Sequence, residues 1–390
     1  MSKPFVFEKP IGMRDTLPTL LKKKSDIMSR VQHTVQQWGY EPIETPMLEF
    51  YDTVGGVSAT LEQKLFKLLD RSGRSLVLRP DMTAPIARVV GSLLRDHPFP
   101  LRLSYQGHVF RAQEKEAGRN AEFPEVGVEY IGEEAPDADA EVIALAISAL
   151  KAAGVPNFTL TIGHAGFITA LFKQCLDHDE QEKTLKQSLY DKDYVGYRRA
   201  VNNMALTSEK KEALLSLLTH HGSTDILKQV RGMIKSADLD QVIQEIEELW
   251  TVLEDYNVTQ YLKLDFSLMR EMDYYTGVHF EIYAQNLGFP IGNGGRYDHL
   301  LSQFGRPAPA IGFSLKVDRI LEVSTVETRS ENKRVVITYT SKERQKAVAL
   351  AERLREENHT VILHRMKNDH TPVSVEADER IALEQEEGSQ

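Results

Sequence analysis

The sequence predicts an α+β fold, because strand-like and helix-like stretches both occur along it. Residues 273–283 alternate polar and apolar side chains, which is the period-two pattern of a strand. Residues 101–110 and 123–131 also read as strands, and the charged segment between them suggests a hairpin. Residues 165–256 are instead polar, charge-rich and helical in pattern. We therefore expect a core that contains a sheet and is interrupted by an inserted helical domain.

Length, composition and charge limit the possible function classes. The chain has 390 residues, and since one domain usually has ~100–200, we expect two or three domains. The net charge of −10 argues against a nucleic-acid surface, which needs excess Lys and Arg. The single cysteine, Cys175, excludes an intrachain disulfide and a cysteine-based zinc site. The first residues lack an apolar stretch, and no run has the ~20 apolar residues of a membrane span, so we expect a soluble, cytoplasmic protein.

The first part of the chain mixes helices and strands. An extended arm over 4–18 precedes a predicted helix over 20–38, which Gly39 ends as a C-cap. Two prolines edge a short strand predicted over 41–49. The other elements predicted in this part are strands at 75–79, 101–110, 123–131 and 158–163, and helices at 84–94 and 137–153.

Polar residues gather where these elements meet. Asp81 and Thr83 lie where a strand passes into a helix, and helix capping is the simpler explanation for both. Glu125 and Glu129 share one strand face, and Arg111 ends the facing strand of the hairpin. This arrangement fits either an ion-paired surface or a site for a cationic amine or imidazolium.

The stretch 273–283 carries the strongest functional signal. Asp273, Tyr275 and Glu281 would share one face of the predicted strand, and Arg270 lies just before it. Buried without partners, each such group would cost roughly several kcal/mol, so such a set is not gathered for stability. A face of this kind is typical of a site for a small polar ligand.

The last part of the chain has a different pattern. Residues 334–339, 341–357 and 360–364 predict one βαβ unit, which is too small to bury both faces of its sheet alone. Residues 366–390 are acidic and polar, and we expect them to be disordered. Within the helical domain, residues 190–199 combine aromatic residues with two arginines; a solvated helix is the simpler explanation and a partner contact the alternative.

Taken in order, these motifs resemble the core of a class II aminoacyl-tRNA synthetase, and specifically histidyl-tRNA synthetase. The run 78–83, Leu-Arg-Pro-Asp-Met-Thr, resembles the family's Leu-Arg-Pro-Glu-Gly-Thr. The run 270–275, Arg-Glu-Met-Asp-Tyr-Tyr, resembles its histidine-binding signature Arg-Gly-Leu-Asp-Tyr-Tyr. Several ordered motifs are far more specific than one. Residues 12–18 resemble the family's opening arm, residues 38–49 its motif 1 and residues 105–129 its motif 2. Residues 294–298 and 312–319 resemble the approach to its motif 3.

The resemblance implies the fold in more detail. It implies an antiparallel sheet flanked by helices, in a core formed by residues 1–165 and 258–325. Residues 166–257 would be the inserted helical domain, and residues 333–365 a βαβ unit reduced from the family's larger anticodon-binding domain. With that domain reduced and a net charge of −10, we expect no specific tRNA recognition.

The chain departs from the synthetase pattern where ATP would bind. Gln113 replaces a glutamate that helps to place ATP, and Ala121 replaces an arginine that reaches its phosphates. Glu114 adds negative charge to the same loop, whereas adenylation needs positive charge on the triphosphate. Glu125 replaces a glutamine, and Lys316 replaces a small residue. We therefore expect no catalysis, and no cofactor or metal.

The resemblance also implies that the amino-acid end of the pocket is kept. Arg270 would bind the carboxylate of histidine, and Glu129 with Tyr275 would bind the imidazole. Two carboxylates and a hydroxyl would surround the ammonium; the alternative is a decayed site kept for packing. The expected histidine-binding residues are Asp81, Thr83, Arg111, Glu125, Glu129, Arg270, Tyr274, Tyr275 and Tyr297.

A core that keeps histidine recognition but loses ATP placement and the anticodon domain resembles the regulatory subunits of ATP phosphoribosyltransferase. The resemblance implies a non-catalytic partner of the short-form catalytic subunit, in the first step of histidine biosynthesis. It further implies a hetero-octamer with that subunit, activation of it, feedback inhibition by histidine, and homodimers formed through motif 1.

Two other functions stay open at this stage. A truncated histidyl-tRNA synthetase, or an amino-acid ligase with a non-tRNA acceptor, would use the retained Arg111 and Arg319, and would exchange pyrophosphate into ATP when histidine is present. A histidine- or tRNA-sensing module docked to a separate protein, such as a kinase, would bind uncharged tRNA in a filter assay.

Overall fold

A computed structural model describes residues 8–55, 57–58, 60, 62–112, 120–231, 236–269, 274–327, 332–366 and 375–383. The chain forms two compact units, one ending at Val326 and one beginning at Glu327. Each unit has a sheet and a hydrophobic core of its own. Across these ranges, the helices are too short or too polar to span a membrane.

The larger unit is built on one large mixed sheet. Its described strands are β1 (Glu41–Pro42), β2 (Leu48–Phe50), β3 (Lys67–Leu69), β4 (Ser75–Leu78), β5 (Leu101–Phe110), β6 (Glu122–Ile131), β7 (Phe158–His164), β8 (His221–Gly222), β9 (Leu262–Asp265), β10 (Val278–Ala284), β11 (Gly292–Arg296) and β12 (Ala310–Lys316). Nine of them form the sheet in the order β1-β5-β6-β12-β11-β10-β7-β9-β8. The strands from β5 to β7 pair antiparallel, whereas β1 and β9 lie parallel to β5 and β7.

The register of the central strands gives the sheet one polar and one apolar face. Glu129 of β6 lies opposite Gly312 of β12, and Glu125 lies opposite Lys316. Directly opposed residues of an antiparallel pair project from the same face, so these side chains are neighbours. The other face carries the apolar residues of the same strands, and these belong to the main hydrophobic core: Val126, Val128, Phe280, Ile282, Phe313 and Leu315.

Helices α1, α3 and α10 pack against the apolar face of the sheet. The helices of this unit in the described ranges are α1 (Pro18–Gln37), α2 (Thr83–Gly91), α3 (Asp137–Ala152), α4 (Ala165–Cys175), α5 (Asp179–Tyr190), α6 (Tyr194–Asn203), α7 (Ser208–Ser216), α8 (Asp225–Arg231), α9 (Ala237–Asp255) and α10 (Val317–Val323). Helix α1 buries Ile27, Val31 and Val35, a stripe at every fourth residue. Gly39 follows it with φ +84°, in the left-handed conformation predicted for a C-cap glycine.

Two predicted strands differ from the structure. The stretch 41–49 forms two strands, β1 and β2, in different sheets, because Pro42 and Pro46 cannot donate to a ladder. The strand predicted over 273–283 begins only at Val278. Thr276 and Gly277 form a bend before it, and the Thr276 N–H donates 2.8 Å to the carbonyl of Arg296 at the end of β11. Residues 270–273 lie outside the described ranges. The helical domain also contains the two-residue strand β8, which the helical pattern does not predict.

Strands β2, β4 and β3 form a separate antiparallel sheet in the larger unit. This small sheet and the residue before it expose five large apolar side chains, from 41% to 73% accessible. They are Met47, Leu48, Phe50, Leu68 and Leu69. An apolar surface of this kind usually marks a contact with another protein.

The smaller unit begins with the predicted βαβ pattern. It contains β13 (Arg334–Tyr339), α11 (Arg344–Glu356), β14 (Thr360–Arg365) and β15 (Glu379–Leu383). Strands β14 and β15 both pair parallel to β13. The expectation of disorder over 366–390 is therefore wrong for residues 379–383, which gain a full ladder of backbone hydrogen bonds with β13.

Candidate functional site

The predicted site residues lie together on the polar face of the large sheet. Two adjoining cavities there share Thr83, Tyr105, Tyr274, Tyr275, Asn293 and Ser314 in their walls, and we call them together the carboxylate cavity. Arg270 lies outside the described residues. The other predicted residues all line the carboxylate cavity: Asp81, Thr83, Arg111, Glu125, Glu129, Tyr274, Tyr275 and Tyr297.

Glu129 of β6 lies at the centre of the carboxylate cavity. Its carboxylate accepts a hydrogen bond from the Thr83 hydroxyl at 2.8 Å and another from the Tyr297 hydroxyl. The side chain is 2% exposed and lies across Gly312, where a Cβ atom would overlap Oε2. The glycine at this position of β12 therefore makes the space in which the carboxylate sits.

Burial raises the pKa of Glu129 to about 8. The hydrogen bonds from Tyr297 and Thr83 act in the opposite direction, while the nearby carboxylates of Asp81 and Glu125 raise the pKa further. Near neutral pH this carboxyl group therefore holds a proton for much of the time. It can accept a hydrogen bond from an imidazole, or donate one to it.

Tyr297 is held in place by the backbone and by its sequence neighbours. Its N–H donates 2.8 Å to the Ala310 carbonyl. Arg296 forms a buried ion pair with Asp139 of α3 at 2.6 Å, and Asp298 Oδ1 accepts from the Ala310 N–H at 3.0 Å. The run 294–298 is thus anchored on both sides of the tyrosine, which fixes the phenol against Glu129.

Stacked rings form the wall of the carboxylate cavity next to β10. Tyr274 stacks on Tyr297 with centroids 5.7 Å apart, and Tyr275 stacks on His279 at 5.6 Å. The Nε2–H group of His279 donates 2.9 Å to the Leu268 carbonyl, which fixes the imidazole under Tyr275. The two tyrosines thus present flat apolar surfaces and phenol groups to the space beside Glu129.

Asp81 makes the helix-capping contact that its sequence position suggested, and it also lines the carboxylate cavity. Its Oδ1 accepts from the Ala84 N–H at 3.0 Å, which satisfies a donor in the first turn of α2. Its Oδ2 accepts from the Ser58 hydroxyl. Asp81 also lines the carboxylate cavity, so the structural and the ligand-facing interpretations are compatible.

Arg111 stands at the edge of the carboxylate cavity. Its Nε–H donates 2.8 Å to the Pro80 carbonyl, and its Nη2 lies 4.0 Å from Oε1 of Glu125. Glu125 is 2% exposed, so this guanidinium is an important counter-charge for it. An ion pair, one of the two arrangements that the hairpin left open, is therefore present between Arg111 and Glu125 at the long end of ion-pair distance.

Four polar residues that line the same cavity were not predicted from the sequence: Thr60, Tyr105, Asn293 and Ser314. Tyr105 reads as a core aromatic residue of β5, and it is indeed buried. A count of alternate positions would have found Ser314, because it shares a strand face with Gly312. Within the described part of the chain, no group of three His, Cys, Asp or Glu side chains could hold a metal ion.

A second cavity, which we call the basic cavity, lies beside the first and shares Arg111 with it. Its described walls include Phe123, Phe289 and three carboxylates, but cations are more numerous. Arg319 donates to the Pro290 carbonyl, and Arg14 comes from the N-terminal arm. The cations are Arg14, Lys64, Arg111, Lys316 and Arg319, and the carboxylates are Glu281, Asp318 and Glu322.

The substitutions expected to disturb ATP binding are only partly described. Gln113 and Glu114 lie outside the described residues, so the predicted negative charge of their loop stays a prediction. Ala121 is 1% exposed, and its N–H donates 2.8 Å to the Gly12 carbonyl of the arm. A larger side chain at position 121 would meet this arm, since Ala121 lies directly against Gly12.

The chain is similar to known proteins in sequence and in structure. The family model for histidyl-tRNA synthetase matches residues 12–320. The ATP phosphoribosyltransferase regulatory subunit of Geobacillus kaustophilus is 48% identical over 361 residues, covering 93% of this chain and 91% of that protein. The subunit of the same name from Bacillus licheniformis is 49% identical over 359 residues, covering 92% of each. A crystal structure of an ATP phosphoribosyltransferase regulatory subunit/histidyl-tRNA synthetase from Bacillus halodurans superposes with a TM-score of 0.91 at 44% identity, covering 97% of this chain and 99% of that one.

Proposed function

The chain belongs to the family of ATP phosphoribosyltransferase regulatory subunits, which share the class II fold of histidyl-tRNA synthetase, and we propose that it makes a short-form catalytic subunit responsive to histidine. In this proposal it activates that subunit in the first step of histidine biosynthesis, and histidine reverses the activation. The chain itself catalyses no reaction and binds no tRNA specifically. A cytoplasmic location is part of the same proposal.

The carboxylate cavity is the observation that carries this proposal. Histidine offers an anion, a cation and two ring nitrogens, and the cavity supplies carboxylates, phenols and a guanidinium. Glu129 and Tyr275 would bind the imidazole, with Tyr297 orienting Glu129. Asp81, Thr83 and Glu125 would surround the ammonium, beside Arg111. Arg270 would bind the carboxylate, as the family signature implies.

Regulation requires histidine to bind two states of the complex with different affinity. A ligand that bound both states equally would shift neither. We propose that the active and inhibited assemblies differ in how the carboxylate cavity is closed. Tyr274 and Tyr275 precede β10 and line the carboxylate cavity. They are therefore placed to transmit the binding of a ligand in this cavity to the rest of the sheet.

The assembly proposed is a homodimer through residues 38–49 within a hetero-octamer with the catalytic subunit. The apolar surface at 47–50 and 68–69 adjoins this stretch and supports the homodimer. Leu69→Glu should shift the chain toward monomer in sedimentation velocity, because it places a charge on that surface. Val195→Glu, a matched change at an exposed position of α6, should leave the dimer intact. A dimer unaffected by Leu69→Glu would contradict this interface.

The decisive experiment measures pyrophosphate-linked turnover of ATP and phosphoribosyl pyrophosphate by a short-form catalytic subunit. The assay is run without this chain, with it, and with added histidine. We expect strong activation that histidine reverses, and loss of the histidine response in Arg270→Ala with the fold retained. Absence of activation, or unchanged inhibition of the Arg270→Ala complex, would contradict the proposal.

One observation favours the amino-acid ligase as a second candidate. The described walls of the basic cavity carry more cations than carboxylates, and Arg111 and Arg319 are among them. The packing of Ala121 against the arm argues against it, because the second phosphate-binding arginine is missing. Histidine-dependent exchange of labelled pyrophosphate into ATP would establish the ligase; no exchange above background would exclude it.

A further inference from the structure

A third cavity lies in the larger unit, between the end of β7, the start of β10 and helix α9. Its walls include His164, Glu245, Arg296 and Ala308, and we call it the His164 cavity. Its volume is about 560 Å³, within the range of about 300–1,000 Å³ that is typical of sites for small molecules. None of its described lining residues also lines the carboxylate cavity or the basic cavity. It is therefore a separate candidate site.

His164 is a buried imidazole that makes no hydrogen bond within the described part of the chain. It is 8% exposed, and its Nδ1 atom has no partner there. Its Nε2 atom lies 3.6 Å from Oε2 of Glu245, which is beyond hydrogen-bond distance. His164 precedes α4, but its side chain does not cap that helix. A buried polar group without a partner is costly, so its place in a cavity wall points to a ligand that bonds to it.

The His164 cavity is acidic. Arg296 is the one cation among the lining residues that the structure describes, and it pairs with Asp139 at 2.6 Å and with Asp298 at 3.2 Å. Two further carboxylates, Glu134 and Glu245, line the cavity and are exposed to solvent, so the cavity opens beside them. The charge of the arginine is thus neutralised within the wall, and the excess charge is negative. A cationic ligand would be attracted and an anionic one repelled.

The imidazole of His164 suits a cationic ligand because it is itself uncharged. Burial and the nearby His279 lower the pKa of His164 to about 3, so the ring is neutral near neutral pH. A neutral imidazole keeps one ring nitrogen as a hydrogen-bond acceptor, and the Glu245 carboxylate beside it also accepts. An ammonium group has three N–H donors and can donate to both.

The rest of the wall is apolar. Glu245 and Leu249 lie four residues apart on α9, so this helix presents a carboxylate and an apolar side chain on the same face. Five side chains offer hydrocarbon surface to the cavity: Pro136, Ile246, Leu249, Val278 and Ala308. A ligand with a cationic end and an apolar chain matches both parts of the wall.

We propose that the His164 cavity is a second ligand site, which binds a small alkylamine. The ammonium group lies between His164 and Glu245, and the alkyl chain lies along the apolar wall. The site does not depend on the histidine binding proposed above, because the His164 cavity and the carboxylate cavity have different walls.

Titration calorimetry on the full chain tests this site with n-hexylamine and with n-hexanol, which has the same chain but no charge. We expect n-hexylamine to bind with a dissociation constant of about 1 mM or below, as for other well-bound ligands of its size. n-Hexanol should bind at least about tenfold more weakly, because hydrogen bonds from a charged donor are stronger than neutral ones.

Two changes in the wall test where the ammonium group binds. Glu245→Gln should weaken n-hexylamine about three- to tenfold, because it removes a charged but partly screened acceptor. Glu248→Gln is the matched control and should bind like the wild type, because Glu248 accepts a glutamine amide on the same helix, as Glu245 does, but does not line the cavity. His164→Leu should weaken n-hexylamine about tenfold and leave n-hexanol unchanged. If circular dichroism shows that His164→Leu does not fold, the exposed Glu245→Gln decides.

The outcomes separate this site from the carboxylate cavity. Glu125→Gln, a change in the carboxylate cavity, should leave n-hexylamine affinity unchanged. Weakening by Glu125→Gln but not by Glu245→Gln would place the amine in the carboxylate cavity and overturn the proposal. Equal binding of n-hexylamine and n-hexanol, or wild-type affinity in both wall variants, would also overturn it. A chain that binds no histidine would contradict the proposed function and leave this inference intact.

Discussion

The carboxylate cavity and the basic cavity lie side by side and share Arg111, but they are built differently. In the carboxylate cavity, side chains from the strands and the α2 turn bond to one another, as Thr83 and Tyr297 do to Glu129. In the basic cavity, two of the arginines donate to backbone carbonyls: Arg111 to that of Pro80 and Arg319 to that of Pro290. The carboxylate cavity is therefore lined by side chains that hydrogen-bond to one another, whereas the basic cavity is lined by cations from separate segments of the chain.

The difference indicates which cavity is organised for a specific ligand. Side chains that hydrogen-bond to one another fix the positions of the polar atoms involved, and that is what discrimination between similar amino acids requires. Cations tied to separate carbonyls attract anions but constrain their geometry less. We therefore expect changes in the carboxylate cavity to alter histidine affinity strongly, and changes confined to the basic cavity to alter it little.

The largest effect should come from filling the space that the Glu129 carboxylate occupies. In Gly312→Ala, the new Cβ atom would overlap Glu129 Oε2 and the Val128 carbonyl oxygen. We expect a loss of about 1–3 kcal/mol in the free energy of unfolding, as for other overpacked sites, and no measurable histidine binding. Urea denaturation and calorimetry measure both quantities.

Gly288→Ala is the control for this variant, because no atom lies within 4 Å of its added Cβ. It should match the wild type in stability and in histidine affinity. Normal histidine affinity in Gly312→Ala would mean that Glu129 is not held against β12 when the ligand is bound.

A smaller but selective effect should follow from Glu129→Gln. The amide keeps the size of the side chain but cannot share a proton with an imidazole. We expect histidine affinity to fall about 10- to 100-fold, the value of one hydrogen bond to a charged group, with the urea midpoint unchanged or higher. Glu122→Gln, a half-buried residue of the same strand paired with His108, should leave the affinity intact. An unchanged affinity in Glu129→Gln would show that the imidazole binds elsewhere.

The pH dependence of histidine binding provides a third test of the carboxylate cavity. A free imidazole has a pKa of about 6.5, and Glu129 has a raised pKa of about 8. If bound histidine and Glu129 share one proton, the free imidazole and the free Glu129 carboxyl together carry one proton only between about pH 6.5 and pH 8. Above about pH 8 they carry none, so binding must take up a proton. Below about pH 6.5 they carry two, so binding must release one. Affinity should therefore fall on both sides of a maximum between about pH 6.5 and pH 8.

Calorimetry in buffers of different ionisation enthalpy counts the protons exchanged on each side of this maximum. The decline above pH 8 should disappear in Glu129→Gln, because the titrating group is gone. A decline that persists there would assign the proton to another group.

The sequence predicts those cavity residues that are placed by the period of a strand, and it does not predict those placed by distant parts of the chain. The alternation of residues in β6 predicts that Glu125 and Glu129 share a face, and the structure agrees, because a strand has a fixed period. Tyr105 was missed, because an aromatic residue in a buried strand reads as core. The approach of Arg14 to the basic cavity depends on how the arm folds back, and no local pattern encodes that.

Distant contacts also explain why the predictions for the start of β10 and for residues 379–383 were wrong. The polar alternation at 273–277 mimics a strand, but Thr276 lies in a bend, and its N–H donates to the carbonyl of Arg296 at the end of β11. Residues 379–383 read as part of an acidic tail, and they form β15 only because β13 offers an open edge more than forty residues earlier. In both cases the deciding partner is distant in sequence, so propensity alone could not find it.

The smallest expected effect is the most informative about the boundary between the cavities. Arg319 lines the basic cavity, is absent from the walls of the carboxylate cavity, and donates to the Pro290 carbonyl. Arg319→Met keeps the length of the side chain and removes its charge, and we expect histidine affinity to stay within about twofold, since charges separated by a polar wall couple weakly. A tenfold change measured by calorimetry would show that the two cavities act as one site, and the basic cavity would then belong to histidine recognition.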